Sequence, residues 1–345
     1  MEFNTNSKRK HNENIDLITK STWSSAFDDH RDKNDDAKQE LIKDILLSTS
    51  LMKRLDISED NEKKLINFIN EIYKCYNPND YHSFTHACHV FLNCKCLWDH
   101  LTPTSQEAYS SNDIYEFALL FSAFIHDVDH LGIPNTKLID QNHKYAKDYN
   151  NQSIAEMRSI YLAFDFIESN DNKNNFLIDL DKKEYQLFKS IVIELVLSTD
   201  AADKDRVKIT KLKFSENSDN NGKGKMITTT TSGLHAGLIL LLKCADVGAA
   251  MQSFNTGVYW AERFYKEIAW GSESGQHPLE DEKYLIDQKG YLHGPCIALA
   301  RSLGTAQLVE NTVSEQAITN LTKISEYLGT PESMVMVAGW REKSN

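Results

Sequence analysis

The chain has 345 residues, 41% of them hydrophobic, enough for a sizeable core and too many for a small stapled module. Proline and glycine are scarce, 6 and 14, a composition that leans to an all-α protein. A formal net charge of −12 argues against a nucleic-acid face, which needs a basic surface, and disfavours rest on anionic lipid.

The six cysteines (Cys75, Cys88, Cys94, Cys96, Cys244, Cys296) include no C-x-x-C pair and read as reduced core thiols. No stretch approaches the ~18 apolar residues of a membrane span. The first ten residues lack the apolar core of a signal peptide. A cytoplasmic protein with no membrane span is expected.

Residues 1–50 read as a polar, flexible N-terminal segment, with Trp23 and Phe27 as its bulky anchors and Lys8-Arg9-Lys10 as a solvated basic cluster. Within it, Leu41, Ile42, Ile45 and Leu46 stand at helical spacing. The main body is expected over 51–335, with 336–345 as a C-terminal tail. Leu65, Phe68, Ile69, Ile72 and Tyr76 form one apolar stripe, and Asn77-Pro78-Asn79-Asp80 ends that helix. Tyr81 to Val90 opens the next segment, and 101–112 reads as a polar loop. Phe117–Ile125 is a buried run, too short to cross a membrane, in a helix that Gly132 and Pro134 end. Another helix opens at Tyr149–Ser153 and reaches Ile167. Phe188–Leu197 is a buried run whose β-branched residues leave helix and strand both open. Residues 203–232 read as a solvent loop or insertion. Leu234–Ala250, Val258–Ile268 and Ile297–Val313 read as further helical segments.

The run Phe117–Ile125 ends in His126, Asp127, Asp129 and His130. Burying the run carries His126 and Asp127 inside, and buried charge is costly unless paired or bound to a metal. Imidazoles and carboxylates are the ligands that zinc, magnesium and manganese take. His82 and His86 stand four apart, on one face if the segment is helical, and His126 and His130 repeat the spacing. Asp246 follows a Leu-rich run. Any one of these could be a satisfied core residue; the set favours a metal centre.

Tyr81-His82-x-x-x-His86-Ala87, His126-Asp127-Val128-Asp129-His130-x-Gly132-x-x-Asn135, Ser198-Thr199-Asp200 and Lys243-Cys244-Ala245-Asp246 resemble the catalytic domain of class I cyclic nucleotide phosphodiesterases. Order and spacing match from Leu65 to Glu267. The resemblance implies a compact all-α, multi-helix domain of the His-Asp superfamily. It implies hydrolysis of 3′,5′-cyclic AMP, cyclic GMP or both to 5′-monophosphates, in cyclic nucleotide signalling. It implies two divalent metal ions. His86, His126, Asp127 and Asp246 would hold the tight one, zinc. Asp127 would bridge to the second, magnesium or manganese, whose water shell His130, Glu156 and Thr199 would support. His82 would be the general acid, suited by a pKa near the working pH. Tyr81 and Gln307 would contact substrate. A homodimer or a regulatory partner is compatible with this.

The chain departs from the family pattern in places. Ser83 stands where Asn is usual, and His89 where an acid is frequent. Glu-x-His-His becomes Glu156-Met157-Arg158-Ser159, and Asp-x-x-Asn-Pro becomes Asp246-Val247-Gly248-Ala249-Ala250. With Gln307 as the base-reading glutamine, Glu310 occupies the position of the stacking Phe of Ser-Gln-x-x-Phe. These departures predict a working phosphate site with a weakened base pocket, hence a high KM and weak discrimination between the two nucleotides. Two other readings stay open: a degenerate phosphodiesterase serving as nucleotide sensor or scaffold, and a His-Asp phosphohydrolase with another substrate.

Overall fold

Apolar side chains recur every three to four residues along most of the chain, and helices are the result. The computed structural model describes residues 23, 30–169, 172–202, 231–270, 281–328 and 330–344. Lys8-Arg9-Lys10, Phe27 and the stretch 203–230 lie outside the described residues.

Helix α1 (Asp35–Ser48) opens at Asn34, whose side chain accepts from the Ala37 N–H. It buries Leu41, Ile42, Ile45 and Leu46 against the body. Helices α2 (Ser50–Arg54) and α3 (Glu59–Cys75) come next. Helix α4 (Phe84–Asp99) precedes the short α5 (Pro103–Tyr109), which Thr102 caps and a first-turn proline starts. That helix occupies the stretch expected as loop, because Thr102-Pro103 is a start signal that outweighs the polarity of the residues after it.

Helix α6 (Ile114–Ile125) is buried on nearly every side. An all-round apolar helix needs neighbours all round, and α4 and the helix over Lys182–Ser198 flank it. Phe68, Phe117, Phe121, Phe176 and Phe188 meet around it as a cluster of rings. Short helices α7 (Asn135–Asp140) and α8 (Lys144–Asp148) lead to α9 (Ile154–Ile167). Helix α10 (Lys182–Ser198) starts at a capping box of Asp181 and Glu184. This long capped helix settles the Phe188–Leu197 run as helix. Helix α11 (Thr231–Asp246) ends in a 3-10 turn over Gly248–Met251, and α12 (Phe254–Trp270) comes after it.

Helix α13 (Asp281–Tyr291) passes through a π turn, Leu292–Cys296, that accommodates Pro295, into α14 (Ile297–Thr305). The single helix expected over Ile297–Val313 is broken at Gln307, whose φ is 51°. Helices α15 (Asn311–Tyr327) and α16 (Pro331–Ser344) close the chain.

The packed body extends beyond the expected limits of 51 and 335. Helix α1 and Trp23 are buried in it, as are Val337 and Trp340 of α16, because each brings apolar groups that the core covers. No strand occurs among the described residues beyond an isolated bridge between Leu101 and Val309. All six cysteines are free. No helix of the described residues is long and apolar enough to cross a membrane.

Candidate active site

The site is built around the end of α6. Helix α6 stops at Ile125, seven residues before Gly132, and residues 126–129 form a turn. Asp129 adopts φ of 61°, a left-handed conformation that costs a non-glycine residue. Three donors hold it there: Asn77 Nδ2 at 3.3 Å, Tyr145 Oη at 3.0 Å and Arg158 Nε at 2.8 Å. Tyr76 Oη donates to the Phe124 carbonyl at 2.6 Å, tying the end of α3 to the end of α6. The His126–His130 pair therefore does not share a helix face; the turn separates their roles.

His126 and Asp127 sit on this turn, His86 on the first turn of α4, and Asp246 at the end of α11. These four converge. His86 Nε2 lies 3.1 Å from Asp246 Oδ1 and 3.6 Å from Asp127 Oδ2. His126 Nε2 lies 3.1 Å from Asp127 Oδ2 and 3.5 Å from Asp246 Oδ1. The His126 Nδ1 faces the Ala123 carbonyl at 3.0 Å, so Nδ1 carries the ring proton of the neutral form. Its Nε2 lone pair then points at two carboxylates. Both His126 Nε2 and Asp127 Oδ2 are buried without a hydrogen bond.

That arrangement calls for a positive charge. Burial disfavours the charged His126 ring, yet Asp127 and Asp246 hold its pKa well above the ordinary value. Burial would likewise raise both carboxyls, but the surrounding histidines hold Asp127 and Asp246 well below the usual carboxylate range. The donor atoms of His86, His126 and Asp127 all lie within 4.8 Å of one another, spacing that suits one cation. Nitrogen and carboxylate donors are the ligands that divalent metal ions take.

Beside this cluster stand His82 and His130. His82 precedes α4 rather than sharing a helix face with His86; the two ring centroids are 6.1 Å apart. Its Nδ1 donates to Glu267 of α12, which also accepts from the backbone N–H groups of Tyr81 (2.8 Å) and His82 (2.9 Å). His130 stacks on the His82 ring at 3.9 Å. Asn79 Nδ2 donates to the carbonyls of both, at 2.9 Å and 2.7 Å, and so holds the pair together. Stacked imidazoles do not both ionise readily. Burial opposes charge on His82, but Asp127 and Glu267 raise its pKa. Burial and the neighbouring His82 push His130 down to about 4. Of the two rings, His82 is therefore the one that carries a proton more readily.

Tyr81, His82, Thr199 and Asp246 line a cavity of about 620 Å³, within the usual range for small-molecule pockets. The Tyr81 ring lies 4.6 Å from that of His86 and 5.5 Å from Trp260. Thr199 Oγ donates back to the Val196 carbonyl. Glu156, on the first turn of α9, accepts from Asn135 Nδ2 at 2.9 Å, and burial together with Asp200 pushes its carboxyl up to about 7.

Gln307 is not brought to the cavity. It is exposed on the loop after α14, where its carbonyl accepts from Thr102 Oγ at 3.0 Å. The lining glutamine is Gln288, one helical turn before Tyr291, which also lines the cavity. Gln-x-x-aromatic was the signal available; a search for Phe at the last position passes over Tyr. Glu267, 185 residues from His82, was likewise not singled out.

The chain matches the model of the 3′5′-cyclic nucleotide phosphodiesterase family over residues 81–289. It is 31% identical over 156 residues to the probable 3′,5′-cyclic-AMP phosphodiesterase pde-4 of Caenorhabditis elegans, covering 45% of this chain and 22% of that one. It is 29% identical over 227 residues to the cGMP-specific 3′,5′-cyclic phosphodiesterase delta of Plasmodium falciparum, covering 62% and 26%. The chain thus spans about a quarter of the length of these curated relatives. Its fold is similar to the crystal structure of the phosphodiesterase domain of the RhoPDE fusion protein from the choanoflagellate Salpingoeca rosetta, with a TM-score of 0.74, 19% identity, and coverage of 95% of this chain and 99% of that one. A family match running through more than half of the sequence, across the stretch that carries the converging histidines and carboxylates, means that this chain belongs to the 3′,5′-cyclic nucleotide phosphodiesterase family.

Proposed function

We propose that the chain hydrolyses 3′,5′-cyclic nucleotides, cyclic AMP or cyclic GMP, to 5′-monophosphates at a divalent metal centre. The observation that carries the proposal is the buried convergence of His86 and His126 Nε2 with the Asp127 and Asp246 carboxylates, a donor set that one cation can satisfy. His86, His126, Asp127 and Asp246 would hold zinc. Asp127 would share a second ion, magnesium or manganese, with Glu156, Thr199 and His130 supporting its waters. When bound, such ions supply hydroxide at neutral pH and neutralise phosphate oxygens. We take α1 to α16 as the catalytic unit, working in cyclic nucleotide signalling in the cytoplasm.

The chain's own residues do the rest. The His82 imidazolium keeps Nδ1–H on Glu267, and its Nε2 proton passes to the 3′ oxygen as the P–O3′ bond breaks. An alkoxide leaves poorly without that proton. Gln288 would hydrogen-bond the base and Tyr291 stack on it. This replaces the assignment of Gln307 and the weak base capture that came with it.

A hydrolysis assay against cyclic AMP, cyclic GMP and a generic phosphate bis-ester tests the reading. At least one cyclic nucleotide should be turned over far faster than the bis-ester. Binding without turnover would favour a sensor; preference for the bis-ester would favour another phosphohydrolase.

Gln288→Ala should raise KM about ten- to a hundredfold, the worth of a lost hydrogen bond to a buried partner. Gln307→Ala should leave KM unchanged. Steady-state kinetics giving the opposite pair of results would reinstate Gln307.

Glu267→Gln bears on pH. A general acid works protonated, so the rate falls as pH rises through its pKa. The Glu267 charge raises the His82 pKa. Without it the alkaline limb of kcat/KM should move to lower pH, by about one unit or more. An unmoved limb would remove Glu267 from this role.

A further inference from the structure

Trp23 stands 12 residues before α1, and its side chain is 2% exposed. Its ring reaches the turn after Asp246. A Cβ built on Gly248 would stand 3.1 Å from Trp23 Cη2 and 2.7 Å from Asn93 Nδ2, so the glycine is what admits the indole. The Trp23 carbonyl accepts from Gln252 Nε2 at 2.9 Å.

Gln252 belongs to a buried polar network with Asn93 and His89, all three fully covered. The second N–H of its amide donates to Asn93 Oδ1 at 2.7 Å, and its Oε1 faces His89 Nε2 at 2.7 Å. Asn93 Nδ2 in turn donates to the carbonyl of Ala245 at 3.0 Å. His89 lies flat against Trp260 at 5.2 Å, and Trp260 meets the edges of His86 and Tyr81. The network thus grips Asp246 on both sides, at Ala245 and at Gly248. The Gln252 backbone N–H also donates to the carbonyl of Ala249 at 3.4 Å, and Ala249 and Ala250 line the cavity. Every donor of the Gln252 amide is used, and the Trp23 carbonyl is one of the two acceptors. Removing Trp23 from its place would leave a buried N–H unpaired and the Gly248 turn unsupported. Burial keeps His89 neutral, its pKa down to about 3, which suits an uncharged network where the family frequently has an acid.

We propose that Trp23 is a positioning residue for the catalytic centre: seated behind the 246–252 turn, it sets the Asp246 carboxylate and the Ala249–Ala250 wall. The inference rests on the reading of Asp246 as a metal-holding residue.

Trp23→Ala and Trp23→Phe in the full chain test it, with zinc affinity by chelator competition, KM and kcat at saturating zinc, and melting temperature. Partners that orient a metal ligand are worth about 10–100-fold in affinity. Trp23→Ala should therefore bind zinc at least about tenfold more weakly and show a raised KM, with kcat recovering at excess zinc. Trp23→Phe, which keeps a ring behind the Gly248 turn, should fall between; both variants keep the backbone carbonyl that accepts from Gln252. Wild-type zinc affinity and KM with only a lowered melting temperature would overturn the proposal and leave Trp23 as core packing. If the alanine variant does not fold, the phenylalanine variant is judged by the same two outcomes. A wild-type chain that binds zinc but hydrolyses no cyclic nucleotide would sink the proposed function, while the zinc comparison would still decide the role of Trp23.

Discussion

Asp246→Ala should lose its tightly held metal, with affinity down more than about 100-fold, beyond the 10–100-fold that residues merely orienting a ligand are worth. Asp246 supplies one of two carboxylates that face His86 and His126, with Oδ1 at 3.1 Å and 3.5 Å from their Nε2 atoms. The carbonyl before it, at the end of α11, accepts from Asn93 Nδ2 at 3.0 Å, which holds the backbone there. Turnover should vanish with the metal and not return at zinc concentrations that saturate the wild type. Asp246→Asn keeps the shape and removes the charge; it should also lose the metal. Elemental analysis and chelator competition read both variants. Asp246→Asn protein that retains zinc at wild-type affinity would show that shape, not charge, is what the site needs.

His82→Ala should lower kcat by about 10²–10⁴-fold, the usual worth of a positioned general acid. Metal content should stay as in the wild type, because His82 is not among the four side chains that meet at Asp127. Stability should change little. Glu267 keeps two backbone N–H partners when the imidazole goes, at 2.8 Å and 2.9 Å, so its carboxylate is not left unpaired. His130 loses a stacking neighbour but keeps the Gly132 N–H on its Nδ1, at 3.1 Å. Single-turnover rates, zinc content and melting temperature measured together separate the possibilities. A variant that loses stability and activity in proportion would mark His82 as a structural residue.

Of the converging groups, His126, Asp127 and Asp246 were legible in the sequence because each comes after a buried run whose apolar pattern is plain, and His86 by its four-residue spacing from His82. Phe117–Ile125 delivers His126 and Asp127, and Leu234–Ala245 delivers Asp246. The periodicity could not show where α6 ends, since the stop comes from three donors on Asp129 drawn from three other segments. Glu267 is hidden for a similar reason: a glutamate on an amphipathic helix reads as solvated until the fold sets it under His82. Gln288 carries the Gln-x-x-aromatic spacing with Tyr291, but a search for Phe at the last position passes over it, and the assignment falls on Gln307 instead. Trp23 sits in a polar stretch whose composition reads as flexible, so a lone indole there does not register as a pattern although its side chain is buried. The helical spacing of Leu41, Ile42, Ile45 and Leu46 is visible, yet the polar residues around it assign the stretch to a flexible segment; α1, Val337 and Trp340 are buried in the packed body.

The most direct test of a metal-dependent cyclic nucleotide hydrolase is one assay run on three preparations. Purified chain, chelator-stripped chain, and stripped chain resupplied with zinc and magnesium are each given cyclic AMP and cyclic GMP, and the product is identified by chromatography. The expected result is 5′-monophosphate from the first, none from the second, and recovery in the third. Metal-loaded, folded protein that converts neither nucleotide, or activity that survives complete removal of metal, would contradict it.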